Sequence, residues 1–316
     1  MRCGSKGAER EATERLKPVP TIIAAVLVSS SCVLADTAVL VALPSEQSTL
    51  SLEVRIVGQP VELAQHRVSI GYHKGEKLYI VRTGAGNLNS AMVTQALLTR
   101  YKVDRVISIG VAGNLADGEV GSGKSDARGR IGDIFIATDV VSHQEGTERP
   151  GGFEPAEKTG DGRQKSESRI QKSEEYEQKC EALRSNAVEA ARASLTNEVP
   201  RPALAEATAG KQARNDNPPV HQGRLVSGDS FIASTAKRKW LRETFHADAV
   251  DMVSAGIVRV CEANGVPYVI IRVLSDNADE SASVAFTQFV QSGKAKDPIT
   301  VPIAIRLVEQ AAPPHP

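Results

Sequence analysis

Aromatic residues make up only 4% of this 316-residue chain, with a single tryptophan. No basic run is interleaved with stacking rings, which argues against a single-strand nucleic-acid platform. Neither sign of charge is in excess, 38 Lys and Arg against 38 Asp and Glu, so nothing steers the protein towards nucleic acid or an anionic membrane surface. Cysteine is scarce as well. Of four, Cys3 and Cys32 lie in or before an amino-terminal apolar run, Cys180 falls in a charged helical pattern and Cys261 in an apolar one, so a structural disulfide framework is not expected. No Cys/His set has zinc spacing, and the six histidines are scattered. Small-molecule chemistry is the class left standing. The apolar share of 41% suffices for a sizeable core, and the length allows one large or two ordinary domains.

Long apolar runs are also missing. The longest, Thr21–Ala35, is too short and too serine-rich for a spanning helix, which needs ~20 apolar residues. Lys6, Arg10, Arg15 and Lys17 precede it, and Val33-Leu34-Ala35 offers a small-residue cleavage site before Asp36. Residues 1–35 therefore read as a signal segment, with export to a periplasm or the exterior. Without such a signal the protein would be cytoplasmic.

From Asp36 onward, buried-strand signals alternate with helical ones, the pattern of an α/β fold. Thr37–Leu43 is a strand ending at Pro44-Ser45-Glu46, which leaves Glu46 in a loop beyond its carboxyl end. Arg67–Tyr72 and Lys77–Thr83 form a hairpin around Lys74-Gly75-Glu76. The turn Gly84-Ala85-Gly86-Asn87 precedes a helix over Leu88–Tyr101 and could present backbone N–H groups to an anion, or serve packing alone. Val103–Ile109 is a strand opening into Gly110–Asn114. GSGK within 118–130 lacks P-loop spacing, which argues against nucleoside triphosphate binding by that route. Another strand covers Gly132–Val141. The stretch from about 144 to 221 is polar and poor in large apolar residues apart from a helix at Ser173–Leu195, and reads as an insertion in a single domain spanning 36–312, or as a lid.

The core resumes with a strand and turn at Gly223–Ile232, a helix at Ser234–Phe245 with Ser234 as a possible N-cap, a brief strand at Ala249–Val253 and a helix at Ser254–Asn264 ended by Gly265. Val266–Leu274 is a buried strand, followed by a polar loop with Ser275, Asp276 and Asp279. Ligands of open α/β sheets bind beyond the carboxyl ends of such strands, which puts Asp276 where a carboxylic acid meets a substrate. Helices at Ser281–Gln291 and Ile299–Gln310 precede a Pro-rich tail.

The motifs VALPSE at 41–46, TGAGNLNSA at 83–91, SIGVAGNL at 108–115, IGDIFIATDVVSH at 131–143, VSGDSFI at 226–232, AVDMVSAG at 249–256 and VIIRVLSDNAD at 269–279, in this order, resemble the nucleoside phosphorylase and nucleosidase superfamily, above all its methylthioadenosine and S-adenosylhomocysteine nucleosidases. The resemblance implies a three-layer α/β/α fold with a central mixed, largely parallel twisted sheet. It implies a homodimer without a cofactor that acts on a small-molecule nucleoside with water as nucleophile. It also assigns roles. Asp276 would protonate purine N7, with a pKa raised by burial, and Glu46 would orient and activate the water. Arg272 would help hold that water, or phosphate in a phosphorylase; the other reading of Arg272 is a structural ion pair. Ser275 would support the loop, Phe231 stack on the base, Ile232 read its edge through the backbone, Ala112 and Gly113 wall the base and sugar, and Met252 pack against the ribose.

One position departs from the family pattern. The glutamate that would accept from the ribose 2′ and 3′ hydroxyls is Val253 here, and Asp251, the nearest acid, points the other way in a strand. Three functions follow: a purine nucleosidase, a catalytically impaired nucleoside- or purine-binding or storage protein, or a nucleoside phosphorylase.

Overall fold

Strands dense in β-branched residues set the frame of the computed structural model, which describes residues 36–116, 129–156, 173–196, 219–292 and 299–311. Residues 1–35, read above as a signal segment, most of 118–130, two parts of the polar stretch and the Pro-rich tail lie outside the described residues. In chain order the first strands and helices are β1 (Thr37–Val41), α1 (Pro44–Glu53), β2 (Arg55–Ile56), β3 (Val61–Leu63), β4 (His66–His73), β5 (Glu76–Arg82), α2 (Asn87–Arg100) and β6 (Arg105–Asn114). Then come β7 (Ile134–Ser142), β8 (Gly146–Arg149), β9 (Gly152–Pro155), α3 (Glu174–Thr196), β10 (Val220–Ser227) and α4 (Thr235–Phe245). The last are β11 (Ala249–Asp251), α5 (Ser254–Asn264), β12 (Tyr268–Asp276), α6 (Ala282–Gln291) and α7 (Thr300–Ala311).

All nine residues of β12 are buried, as expected of a strand covered on both faces. It pairs parallel with β6 and antiparallel with β7. The sheet runs β11-β10-β7-β12-β6-β1-β5-β4-β2, with β3 on β4. Because β11 also pairs with β6, strands β6, β12, β7, β10 and β11 close into a ring, and the cleft described below opens at one end of it. Alternation along β1 shows the layers. Val39 and Val41 face a core shared with α1, α3 and α7, whereas Ala38 and Leu40 face one shared with α2 and α5. The result is the expected α/β/α arrangement around a mixed sheet.

Several boundaries differ from those read in the sequence. Pro44 does not only stop β1; it starts α1 as the first helical residue, where its missing N–H has no cost. The glycines at 110 and 113 do not form a turn but stay in β6, whose ladder to β12 continues through them. Ser275 and Asp276 likewise belong to β12 and not to the loop after it. The polar stretch contributes a hairpin, β8–β9, and the start of β10. Its helix α3 buries Tyr176, Cys180, Leu183, Val188 and Ala191, the apolar positions of its 3.6-residue pattern, and packs on α7, β7 and β12 as part of the core.

Candidate active site

β12 delivers Asp276 to the floor of a cleft walled by three other segments: Ala112 and Gly113 of β6, Ser230–Ile232 after β10, and Val250–Val253 around β11. Ala42, Leu43, Gly84 and Ala85 close one side, and Phe286 of α6 another. Register irregularity at Ser275 brings Asp276 opposite Gly113. Its carboxylate is 3% exposed. The Ser275 hydroxyl donates to Oδ2 at 2.8 Å and the Ala278 N–H to Oδ1 at 2.9 Å. Burial raises the Asp276 pKa and the nearby Asp279 charge adds to it, against the lowering effect of those two hydrogen bonds. A carboxyl group whose pKa is raised at the floor of a cleft is suited to donate a proton.

Phe231 lies at the mouth, 43% exposed, with its ring centroid 5.7 Å from that of Phe286. The two rings form an apolar wall suited to a planar ligand. Phe286 was missed in the sequence, where the signal was the first of two phenylalanines in the helix Ala282–Gln291 that follows the Asp276 loop. Ile232 is buried beside Phe231. Ala112, Gly113, Met252 and Ser275 all line the same cleft.

Glu46 and Arg272 do not line it. Glu46 is no solvated loop acid: as the third residue of α1 it folds back on its own N-terminus, its Oε2 accepting from the N–H of Leu43 at 2.9 Å and of Ala42 at 3.1 Å. It therefore sits buried behind Ala42 and Leu43, which do face the cleft, with the Thr300 hydroxyl 3.4 Å from Oε1. Burial raises its pKa, opposed by the two backbone N–H groups and by the Arg272 charge.

Arg272 is 0% exposed, and all five of its N–H hydrogens have acceptors within the protein. Nε donates to Asp251 Oδ2 at 2.9 Å, one terminal nitrogen to the Ser108 and Ile271 carbonyls, and the other to the Ser108 and Ser254 hydroxyls. This is the structural ion pair, and it leaves no donor for a phosphate or a water. Asp251 is equally committed. Besides Arg272 it accepts from the Val253 and Ser254 N–H groups and the Ser254 hydroxyl, so it does not stand in for the absent glutamate.

The glycine turn before α2 does not cradle an anion either. The Gly86 N–H donates to the Met252 carbonyl and the Asn87 N–H to Asp229 Oδ1 at 2.6 Å, so protein acceptors already occupy these donors. The turn instead places Asn87, whose side-chain oxygen receives the Ser227 hydroxyl and the Gly256 N–H and so ties α2 to β10 and α5.

Comparison with known proteins gives this arrangement a context. A sequence model described as the phosphorylase superfamily matches residues 36–304. The 5′-methylthioadenosine/S-adenosylhomocysteine nucleosidase of Actinobacillus succinogenes is 29% identical over 248 residues, 76% of this chain and 88% of that protein. The aminodeoxyfutalosine nucleosidase of Helicobacter pylori is 26% identical over 227 residues, 70% of this chain and 78% of that one. Among solved structures, Helicobacter pylori futalosine hydrolase superposes with a TM-score of 0.64 at 23% identity, over 88% of this chain and 98% of that chain. The Neisseria meningitidis methylthioadenosine/S-adenosylhomocysteine nucleosidase bound to methylthio-immucillin-A gives 0.62 at 22%, over 88% and 100%. These superpositions establish the common fold, and with a match running from the first core strand into the last helix, the chain belongs to the phosphorylase superfamily.

Proposed function

We propose that this protein is a purine nucleosidase that hydrolyses the N-glycosidic bond of nucleosides of the methylthioadenosine and S-adenosylhomocysteine kind. The observation that carries the reading is Asp276, buried, with its pKa raised by burial, in one cleft with the aromatic wall of Phe231 and Phe286. Its acid form protonates N7 of the base while the C1′–N9 bond breaks and water adds to the oxocarbenium-like sugar carbon. Glu46 is the acid assigned to that water, and its Oε1, the oxygen not held by backbone N–H groups, has to reach the cleft past Ala42 and Leu43 to act on it.

The nucleosidase names of the relatives support the reading. A phosphorylase is disfavoured because every N–H of Arg272 is already engaged. A binding or storage protein is the second reading, favoured by Glu46 lying behind the cleft wall and by Val253 in that wall. We also propose that the protein works as a homodimer after export. Leu88, 69% exposed, and Met92 one turn later on α2 support the former as an apolar stripe open to a second copy, and the signal-like 1–35 supports the latter.

The deciding experiment measures adenine release from methylthioadenosine and adenosine, with and without phosphate, using protein beginning near Asp36 and an Asp276→Asn control. Phosphate-independent release that the control abolishes supports the nucleosidase. Phosphate dependence moves the protein to the phosphorylases, and ligand-induced thermal stabilisation without turnover moves it to the binding class.

A further inference from the structure

The corner of the cleft formed by Val250, Met252 and Val253 presents apolar side chains and no side-chain oxygen. Among the described residues the acid in this corner is Asp251, which receives four donors: the Val253 and Ser254 N–H groups on Oδ1, and the Ser254 hydroxyl and Arg272 Nε on Oδ2. The backbone carbonyls there each already take a donor from the protein. The Asp251 carbonyl accepts the Gly228 N–H, the Met252 carbonyl the Gly86 N–H, and the Val253 carbonyl the Ser90 hydroxyl at 2.8 Å. Across the cleft the Ser275 hydroxyl donates its proton to Asp276, and Ser230 lies on another wall, away from this corner in sequence. The neighbouring side chains on the other side are those of Ala42 and Leu43, also apolar.

A ribose brings a cis-diol, two O–H donors that need acceptors once water is displaced. A deoxysugar brings apolar CH₂ in place of one or both, which suits valine and methionine. Resting on the nucleosidase reading, we propose that among the purine nucleosides it takes the cleft prefers those whose sugar lacks the 2′,3′-diol, 2′-deoxy forms binding more tightly than the matching ribosides, and that Val253 sets this preference. The reaction is balanced as hydrolysis: the water oxygen bonds to C1′ as C1′–N9 breaks, the base leaves with the proton from Asp276, and the proton lost by water restores a carboxyl group.

An apolar pocket rejects an added hydroxyl by roughly a hundredfold at most, so a preference of about ten- to a hundredfold is expected. Two measurements test it on the full chain: kcat/KM for 2′-deoxyadenosine and adenosine, and the Kd of each by calorimetry on the Asp276→Asn protein, where turnover is blocked. A deoxy preference in Kd of tenfold or more supports the inference; equal affinities, or tighter binding of adenosine, overturn it. Wild-type turnover reports separately on the nucleosidase reading, since an inert protein that still prefers the deoxynucleoside sinks that reading and keeps the selectivity. Failure of both nucleosides to bind overturns both. Val253→Glu should shift the Kd ratio towards adenosine. Val253→Gln provides the same acceptor without a buried charge should the glutamate variant not fold, and an unchanged ratio in a folded variant removes Val253 from the proposal.

Discussion

Gly113 lies against the Asp276 carboxylate, so close that a β-carbon on Gly113 would come 3.0 Å from Oδ1. The same carbon would stand 3.2 Å from Val250 Cγ1 and 3.3 Å from Ala278 Cβ. Position 113 is therefore crowded by side chains arriving from β12, β11 and the loop after β12, at the point where the register of β12 against β6 shifts.

Gly113→Ala should accordingly displace the carboxylate without abolishing the fold. Overpacking of this kind costs about 1–3 kcal/mol. Purine release should fall at least about tenfold, because proton transfer depends on distance. Comparing kcat with urea unfolding separates the two effects. A variant with lower stability but full kcat would show that Asp276 does not work from this position.

Asp276 and Glu46 are both held above the ordinary carboxylate range by burial, so each ionises more readily in the unfolded chain. Their contribution to stability is full below the ordinary carboxylate pKa of about 4 and is lost as pH rises through their raised folded values. Asp276→Asn should thus melt at or above the wild-type temperature at about pH 8, with the advantage gone near about pH 4. Its kcat should drop by roughly 10²–10⁴. In the wild type, activity should decline as pH rises through the Asp276 pKa. A wild-type rate that instead keeps increasing through that range would exclude Asp276 as the acid.

Replacing Arg272 by Met leaves the Asp251 carboxylate buried without its partner, which costs about 3–5 kcal/mol. Lysine should rescue little, having three donors for five acceptor positions. Asp251→Asn combined with Arg272→Met should be less destabilising than the sum of the single changes, as read from urea midpoints. Strict additivity would mean the two side chains are not coupled.

Gly256 permits the close approach of α5 to α2. A β-carbon there would meet the Asn87 carbonyl and come 2.5 Å from Ser90 Oγ. Backbone at the start of a helix yields little, so Gly256→Ala should cost at least about 3 kcal/mol, more than Gly113→Ala. Thermal unfolding of the two variants side by side gives the ranking.

Much of this site was legible locally. Ser275 and Asp276 were placed by a β-branched run ending in acids, Phe231 and Ile232 by a turn after a short strand, and the end of α5 by Asn264-Gly265, where Gly265 adopts φ 65°. Glu46 and Arg272 were legible as residue types only. In sequence, an acid after Pro44 and an arginine in an apolar strand look like groups awaiting a ligand; in the structure their partners come from the chain itself.

Periodicity, capping and turn chemistry act over a few residues, and these by themselves determined the main core strands and helices and the acid at the end of β12, but not α1, β2, β3 or the β8–β9 hairpin. The tertiary structure alone decided that β7 runs antiparallel to β12, that β11 returns to β6 and closes the ring, and that Arg272 is satisfied by Asp251, Ser254 and Ser108, 21, 18 and 164 residues away. Glu46 meets Thr300 across 254 residues. Hydrogen-bond partners so distant leave no local pattern, because what selects them is the cost of an unpaired buried charge in the assembled core.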